Sequence, residues 1–202
     1  MPPDVAKTFS FKERKGIVGE VDFSKLGKCV ACGRKIIEFY PNYINQVELI
    51  SEAIRQEGFI GYMLKEEEQP IGFSFGYKVP KERTASVNFP LVSALFFERG
   101  INIERTFYGA ELGVSEEYRG RGYGTLISAV RLNDARANGY ESFAIRTKNL
   151  AVLAILKKVF SLEETNSLFL DPERETPWFL FEFKTFNLKR LENMVKMGEI
   201  IQ

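Results

Sequence analysis

The sequence predicts an α+β domain built on a mixed sheet. Three observations carry that expectation. Apolar spacing switches repeatedly between a period of two and a period near 3.6. Strand-like runs gather early and late in the chain. A strand, a helix and another strand follow one another in the middle, as a parallel crossover requires.

The elements follow in order. Residues 1–34 are polar and glycine-containing, with short apolar pieces at Ile17-Val18 and Val30-Ala31, and read as an arm or an extension of the same domain. Residues 36–40 form a short strand stopped by Pro41. Ile44, Val47, Ile50 and Ile54 recur at three- and four-residue steps, which is one face of a helix ended by Gly58. Residues 59–65 and 71–79, aromatic and β-branched, read as a hairpin around the acidic turn KEEEQP. Residues 81–103 alternate poorly, and 91–98 form a short helix. Its phenylalanines suit core packing, a pocket wall or a dimer seam.

Residues 105–114 are strand-like. Residues 122–138 are helical, with Leu126, Ile127, Val130 and Ala137 on one face and Gly139 at the end. Residues 141–147 form a strand. Residues 150–159 are almost wholly apolar and predict a buried helix. Two strands follow at 167–170 and 178–184. Leu188, Leu191 and Val195 mark an amphipathic helix over 186–202. The main domain is thus 35–185.

Composition narrows the chemistry. The 202 residues carry a formal net charge of +1, so no global field draws the chain to nucleic acid or to anionic lipid. Histidine is absent, which removes the commonest general base and every Ser-His or Cys-His pair. Proton transfer falls to Glu, Asp, Tyr, Lys, Cys, a terminus or water. Cys29 and Cys32 form a single CxxC framed by Gly27 and Gly33. Two ligands are too few for a structural zinc site, so no metal is expected. A reduced turn, a redox pair and a metal shared between subunits remain open readings. The N-terminal residues lack the apolar run of a signal peptide, and no apolar run approaches 18 residues. The expected location is cytoplasmic.

The segment VSEEYRGRGYGT, 114–125, concentrates the chemistry. A strand enters it and a helix leaves it. Gly120, Gly122 and Gly124 let the backbone approach a ligand closely. The leading amides of the new helix lack intrahelical partners and lie at the positive end of its dipole. An anion fits there, with Arg119 and Arg121 adding charge. A Walker loop would need a lysine before Thr125, and the dinucleotide fingerprint GxGxxG is not met. A glycine-rich turn with two solvated arginines is the plainer alternative.

Arg119-Gly-Arg-Gly122-Tyr-Gly124 resembles the R/Q-x-x-G-x-G/A loop of the GCN5-related N-acetyltransferase (GNAT) superfamily. The lead-in 112–118 and the later strand, Asn149 and apolar helix match that family's order and spacing. The likeness runs from about Phe59 to Val159. It implies an acyl-CoA N-acyltransferase fold: a central, mostly antiparallel sheet, splayed between two parallel strands and flanked by helices. It implies acetyl-CoA as co-substrate, its pantetheine arm beside Leu112, Gly113 and Val114 and its pyrophosphate on Arg119, Gly120, Arg121, Gly122, Tyr123, Gly124 and Thr125. Asn149 would touch the pantetheine. The implied activity is transfer of an acetyl group to a primary amine of a small molecule or a protein. Glu111 matches one location of the family's base, and Tyr108 shares its strand.

One departure stands out. Many relatives place a tyrosine acid where this chain has Leu156. An acyl-CoA sensor without catalysis, or a protein binding another nucleotide, are the competing classes. A homodimer is compatible with the sequence.

Overall fold

The computed structural model describes residues 49–66, 69–84, 87–160, 162 and 166–186. The arm 1–34, the CxxC pair and the strand at 36–40 lie outside these residues, as does the helix expected over 186–202 apart from Phe186. The helix expected from Ile44 is described from residue 49 and runs through 53, with a turn to Gly58. Among the described residues, no helix is long and apolar enough to cross a membrane.

Six strands form one sheet in the order β1-β2-β3-β4-β6-β5. They are β1 (Ile60–Glu66), β2 (Gln69–Lys78), β3 (Thr106–Val114), β4 (Ser142–Arg146), β5 (Phe169–Leu170) and β6 (Pro177–Glu182). Besides the helical residues 49–53, the α-helices among the described residues are α1 (Phe89–Phe97), α2 (Tyr123–Ala137) and α3 (Leu150–Phe160). Among the described residues only β3 and β4 run parallel, and α2 is the crossover between them. The hairpin, the crossover and the late strands all stand where the spacing predicts them.

Alternation along each strand sends side chains to two cores. Phe107, Phe143, Ile145 and Phe181 pack with Leu132, Leu156 and Phe160 beneath α2 and α3. Phe75, Tyr77, Tyr108 and Trp178 pack with Ala53, Phe89, Val92 and Phe96 on the opposite face. Both faces are covered, which is why β2 and β3 carry so little exposed surface.

Two expectations about helices need correction. The face of α2 that is buried is not the apolar one read from spacing. Leu126 and Val130 are half-buried and Ala137 is exposed, whereas Ser128, Ala129, Arg131, Leu132 and Ala135 join Ile127 in the interior. Small residues let the helix lie close to the sheet, and Arg131 is held by main-chain carbonyls. Helix α3 is not buried throughout. Leu156, Val159 and Phe160 face the core, while Leu150 is 78% exposed and Ala151 and Ala154 face outward. The helix lies on an outer layer with nothing described above it, so its apolar composition overstates its burial.

Candidate active site

The loop 119–125 folds as a glycine turn that leads into α2. A short 3₁₀ helix, Glu116–Tyr118, closes β3, and Gly120 and Gly122 then take φ of +77° and +90°. These are left-handed values that favour glycine. Gly122 is the N-cap of α2, and the first intrahelical bond described runs from the Leu126 N–H to the Gly122 carbonyl. The amides of Tyr123, Gly124 and Thr125 belong to the turn that has no intrahelical acceptor. Arg119 Nε donates to the Val114 carbonyl at 3.1 Å, and Arg121 stacks over the Tyr118 ring at 5.3 Å. Gly124 also lets α3 come near, since a Cβ there would lie 3.1 Å from Ile155.

Strands β3 and β4 pair from Thr106↔Ser142 to Gly109↔Ile145 and then part. From Ala110 onward β3 keeps only its β2 partner. A cavity of about 280 Å³ opens at the parting. Its lining includes Glu52, Tyr77, Tyr108, Glu111, Arg146 and Asn149.

A bulge decides what faces this cavity. Phe75 pairs with Glu111, but the next β2 residue, Gly76, pairs with Gly109, so Ala110 is the additional residue. In a regular strand Tyr108 and Glu111, three apart, would face opposite sides. The bulge resets the alternation. Glu111 lies across from Phe75, and Tyr108 across from Tyr77, and Phe75 and Tyr77 share one face. Both candidate catalytic residues therefore line the same cavity.

Burial pushes the Tyr108 phenol up to about 12, and the nearby Glu111 and Asp171 carboxylates push the same way against Arg146. Tyr108 is thus a neutral hydroxyl at physiological pH. It can donate a hydrogen bond but is a poor base. Tyr77, beside it, is raised for the same first reason.

The remaining expected residues divide between loop and cavity. Leu112 and Asn149 line the cavity, and Gly113 and Val114 continue the strand past it. Asn149 also caps α3: its Oδ1 accepts from the Ala151 N–H at 2.9 Å. Leu156 lines the cavity with 1% exposure and offers no hydroxyl. No described residue of 81–103 lines this cavity, and Phe89, Val92 and Phe96 of that segment pack in the core.

Three groups escaped the sequence reading: Arg131, Ser128 and the Arg146–Asp171 pair. Arg131 and Ser128 carried a signal, because both interrupt the spacing of α2 with polar atoms. Arg146 and Asp171 did not, since they are 25 positions apart. Arg146 donates to Asp171 at 2.9 Å, with the side chains 11% and 5% exposed. Asp171 also accepts from the Trp178 indole N–H and from the Glu173 and Arg174 amides. Burial alone would raise its carboxyl. The Arg146, Trp178 and Glu173 bonds outweigh that and hold it below its usual value of 3.8. A depressed folded value means the stabilisation is complete above the unfolded value and is lost as acid titrates the folded carboxylate. Asp171→Asn is expected to cost about 3 kcal/mol at pH 7. The cost should begin to shrink below about pH 4, where the unfolded chain takes up the proton, and shrink further as the folded carboxyl, held lower, titrates. Urea melts at pH 7 and pH 3.5 check both.

Among the described residues, no group of three or more His, Cys, Asp or Glu could hold a metal ion.

Residues 34–160 match the family described as Acetyltransferase (GNAT) family. The fold is similar to an uncharacterized protein from Bacillus halodurans, at 9% identity and a TM-score of 0.52, covering 77% of this chain and 75% of that one. A GNAT superfamily phosphinothricin acetyltransferase from Sinorhizobium meliloti, solved in complex with AcCoA, is 16% identical with a TM-score of 0.46 over 70% of each chain. An IAA acetyltransferase from Bacillus cereus is 16% identical with a TM-score of 0.42, over 67% of this chain and 83% of that one. No curated protein matches the sequence.

Proposed function

The chain belongs to the GNAT family of acetyltransferases, and from that premise we propose that it transfers an acetyl group from acetyl-CoA to a primary amine by direct attack. The observation that carries this reading is the cavity where β3 and β4 part, with Glu111 turned into it by the bulge at Ala110.

In this reading the turn 119–125 holds the pyrophosphate of the co-substrate. Its arm runs along Leu112, Gly113 and Val114, whose β4-facing edge has no described strand partner. Main-chain groups on that edge can pair with pantetheine amides as an added strand would. Asn149 borders the same path.

The amine attacks in its neutral form. Its nitrogen lone pair forms the new C–N bond at the thioester carbonyl. Glu111 takes the surplus ammonium proton, directly or through one water. Tyr108, held neutral, donates a hydrogen bond within the cavity and does not compete as base. The C–S bond breaks as the tetrahedral centre collapses, and the thiolate departs. A thiolate of ordinary pKa near ~8.5 is a tolerable leaving group, so the missing hydroxyl at Leu156 does not forbid the reaction.

Leu156 does favour one other reading, an acyl-CoA sensor without turnover. Free-thiol release from acetyl-CoA with a panel of primary amines separates the two, run beside calorimetry with CoA. Release with at least one amine is expected. Binding of CoA with no release from any amine would establish the sensor.

A further inference from the structure

The bulge that turns Glu111 into the cavity needs support, because an additional residue breaks the β2–β3 ladder and leaves its carbonyls short of donors. The support comes from α2, whose Ser128 and Arg131 also border the cavity. Arg131 of α2 is 2% exposed. Its Nη1 donates to the Phe75 carbonyl at 2.7 Å and to the Glu111 carbonyl at 3.1 Å. Those two residues are the pair at which the register shifts. Ser74 Oγ, itself fully buried, adds a second donor to the Glu111 carbonyl at 3.4 Å.

The surroundings make room for the guanidinium. It lies over the Phe143 ring at 5.5 Å. Gly109, the last β3 residue paired to β4, faces it: a Cβ there would stand 2.5 Å from the Phe143 ring and 3.3 Å from Arg131 Nη2. Gly76, opposite Gly109, is equally confined, its Cβ position 2.3 Å from the Tyr108 carbonyl. Glycines on both strands beside the bulge, and a cation beneath it, mark one construction at the vertex of the splay.

We propose that Arg131 is a positioning residue for acyl transfer, which fixes the Ala110 bulge and so sets the direction of Glu111 and the opening between β3 and β4.

This rests on the acetyltransfer reading, but its geometry can be tested without turnover. A buried cation is costly unless its hydrogen bonds are met. Burial lowers the guanidinium to about 10, while the Glu111 charge opposes that shift, so it stays charged at neutral pH. An apolar side chain of similar length would serve a merely packed position at least as well.

Arg131→Met and Arg131→Lys in the full chain provide the test, read by amide hydrogen exchange and by steady-state kinetics. In Arg131→Met, exchange at amides 110–112 should rise about tenfold or more, while β1 and the interior of α2 keep wild-type protection. The kcat should fall about tenfold or more, with KM for acetyl-CoA within about threefold of wild type. Arg131→Lys keeps the charge and three donors, and should recover part of both losses. A folded Arg131→Met with wild-type kcat and wild-type exchange at the bulge overturns the proposal. So does protection lost evenly across the sheet, with lysine no better than methionine. If Arg131→Met fails to fold, Arg131→Lys carries the test, since its exchange must rise at the bulge and not in β1. If the wild type releases no thiol with any amine, the acetyltransfer reading fails, and the exchange pattern alone decides whether Arg131 fixes the bulge.

Discussion

Gly122→Glu lowers CoA affinity by about 100-fold or more, the loss expected when two charge-assisted hydrogen bonds of about 1.5–3 kcal/mol each are removed. The position has φ of +90° and caps α2. A Cβ there meets no clash, because nothing lies within 4 Å of it. Two effects remain. A side chain in the left-handed region costs about 1–2 kcal/mol and tends to shift the turn out of register. The new carboxylate also occupies the positive end of the helix and repels a diphosphate. Calorimetry with CoA gives the affinity, and a thermal melt shows that the fold survives. Wild-type affinity in a folded variant would mean that the diphosphate sits elsewhere.

Glu111→Gln lowers kcat by about 100-fold or more, within the usual range for loss of a general base, and leaves CoA affinity within about threefold of wild type. The substitution keeps the main-chain carbonyl that Arg131 and Ser74 hold, so the bulge persists. It removes only the proton acceptor. Raising pH should restore part of the rate, because more of the amine is then neutral and hydroxide can take the proton. Full activity at neutral pH would assign the base to another cavity group, with Glu52 the next carboxylate in the lining.

Much of this was legible in the sequence, and the gaps have physical causes. The hairpin around KEEEQP, the strand into Val114 and the helix closed by Gly139 are local patterns. Each emerges within a residue or two of its expected bounds. The glycine loop was legible too, because left-handed backbone leaves its mark in residue type. The orientation of Glu111 was not. It depends on Ala110 being additional relative to β2, and a bulge is a property of two strands, not one. Simple alternation would have set Tyr108 and Glu111 back to back.

The helices show the complementary failure. Apolar spacing placed Val130 and Ala137 inside α2, yet the buried stripe contains Ser128, Ala129 and Arg131. Close approach to a sheet selects small residues there, and carbonyls left over at a bulge can accept a guanidinium. Neither condition is visible along one helix. In α3 an apolar run was read as a buried helix, although an outer layer needs only one inward face. The Arg146–Asp171 pair joins the end of β4 to the turn before β6, a contact that only the sheet order creates.

The most direct measurement is an amide-resolved NMR titration of the chain with CoA. The largest shifts are expected at the amides of 120–125, with a second set along 110–114. Saturable binding whose shifts leave both segments untouched would contradict the site placed between the glycine turn and the parting of β3 from β4.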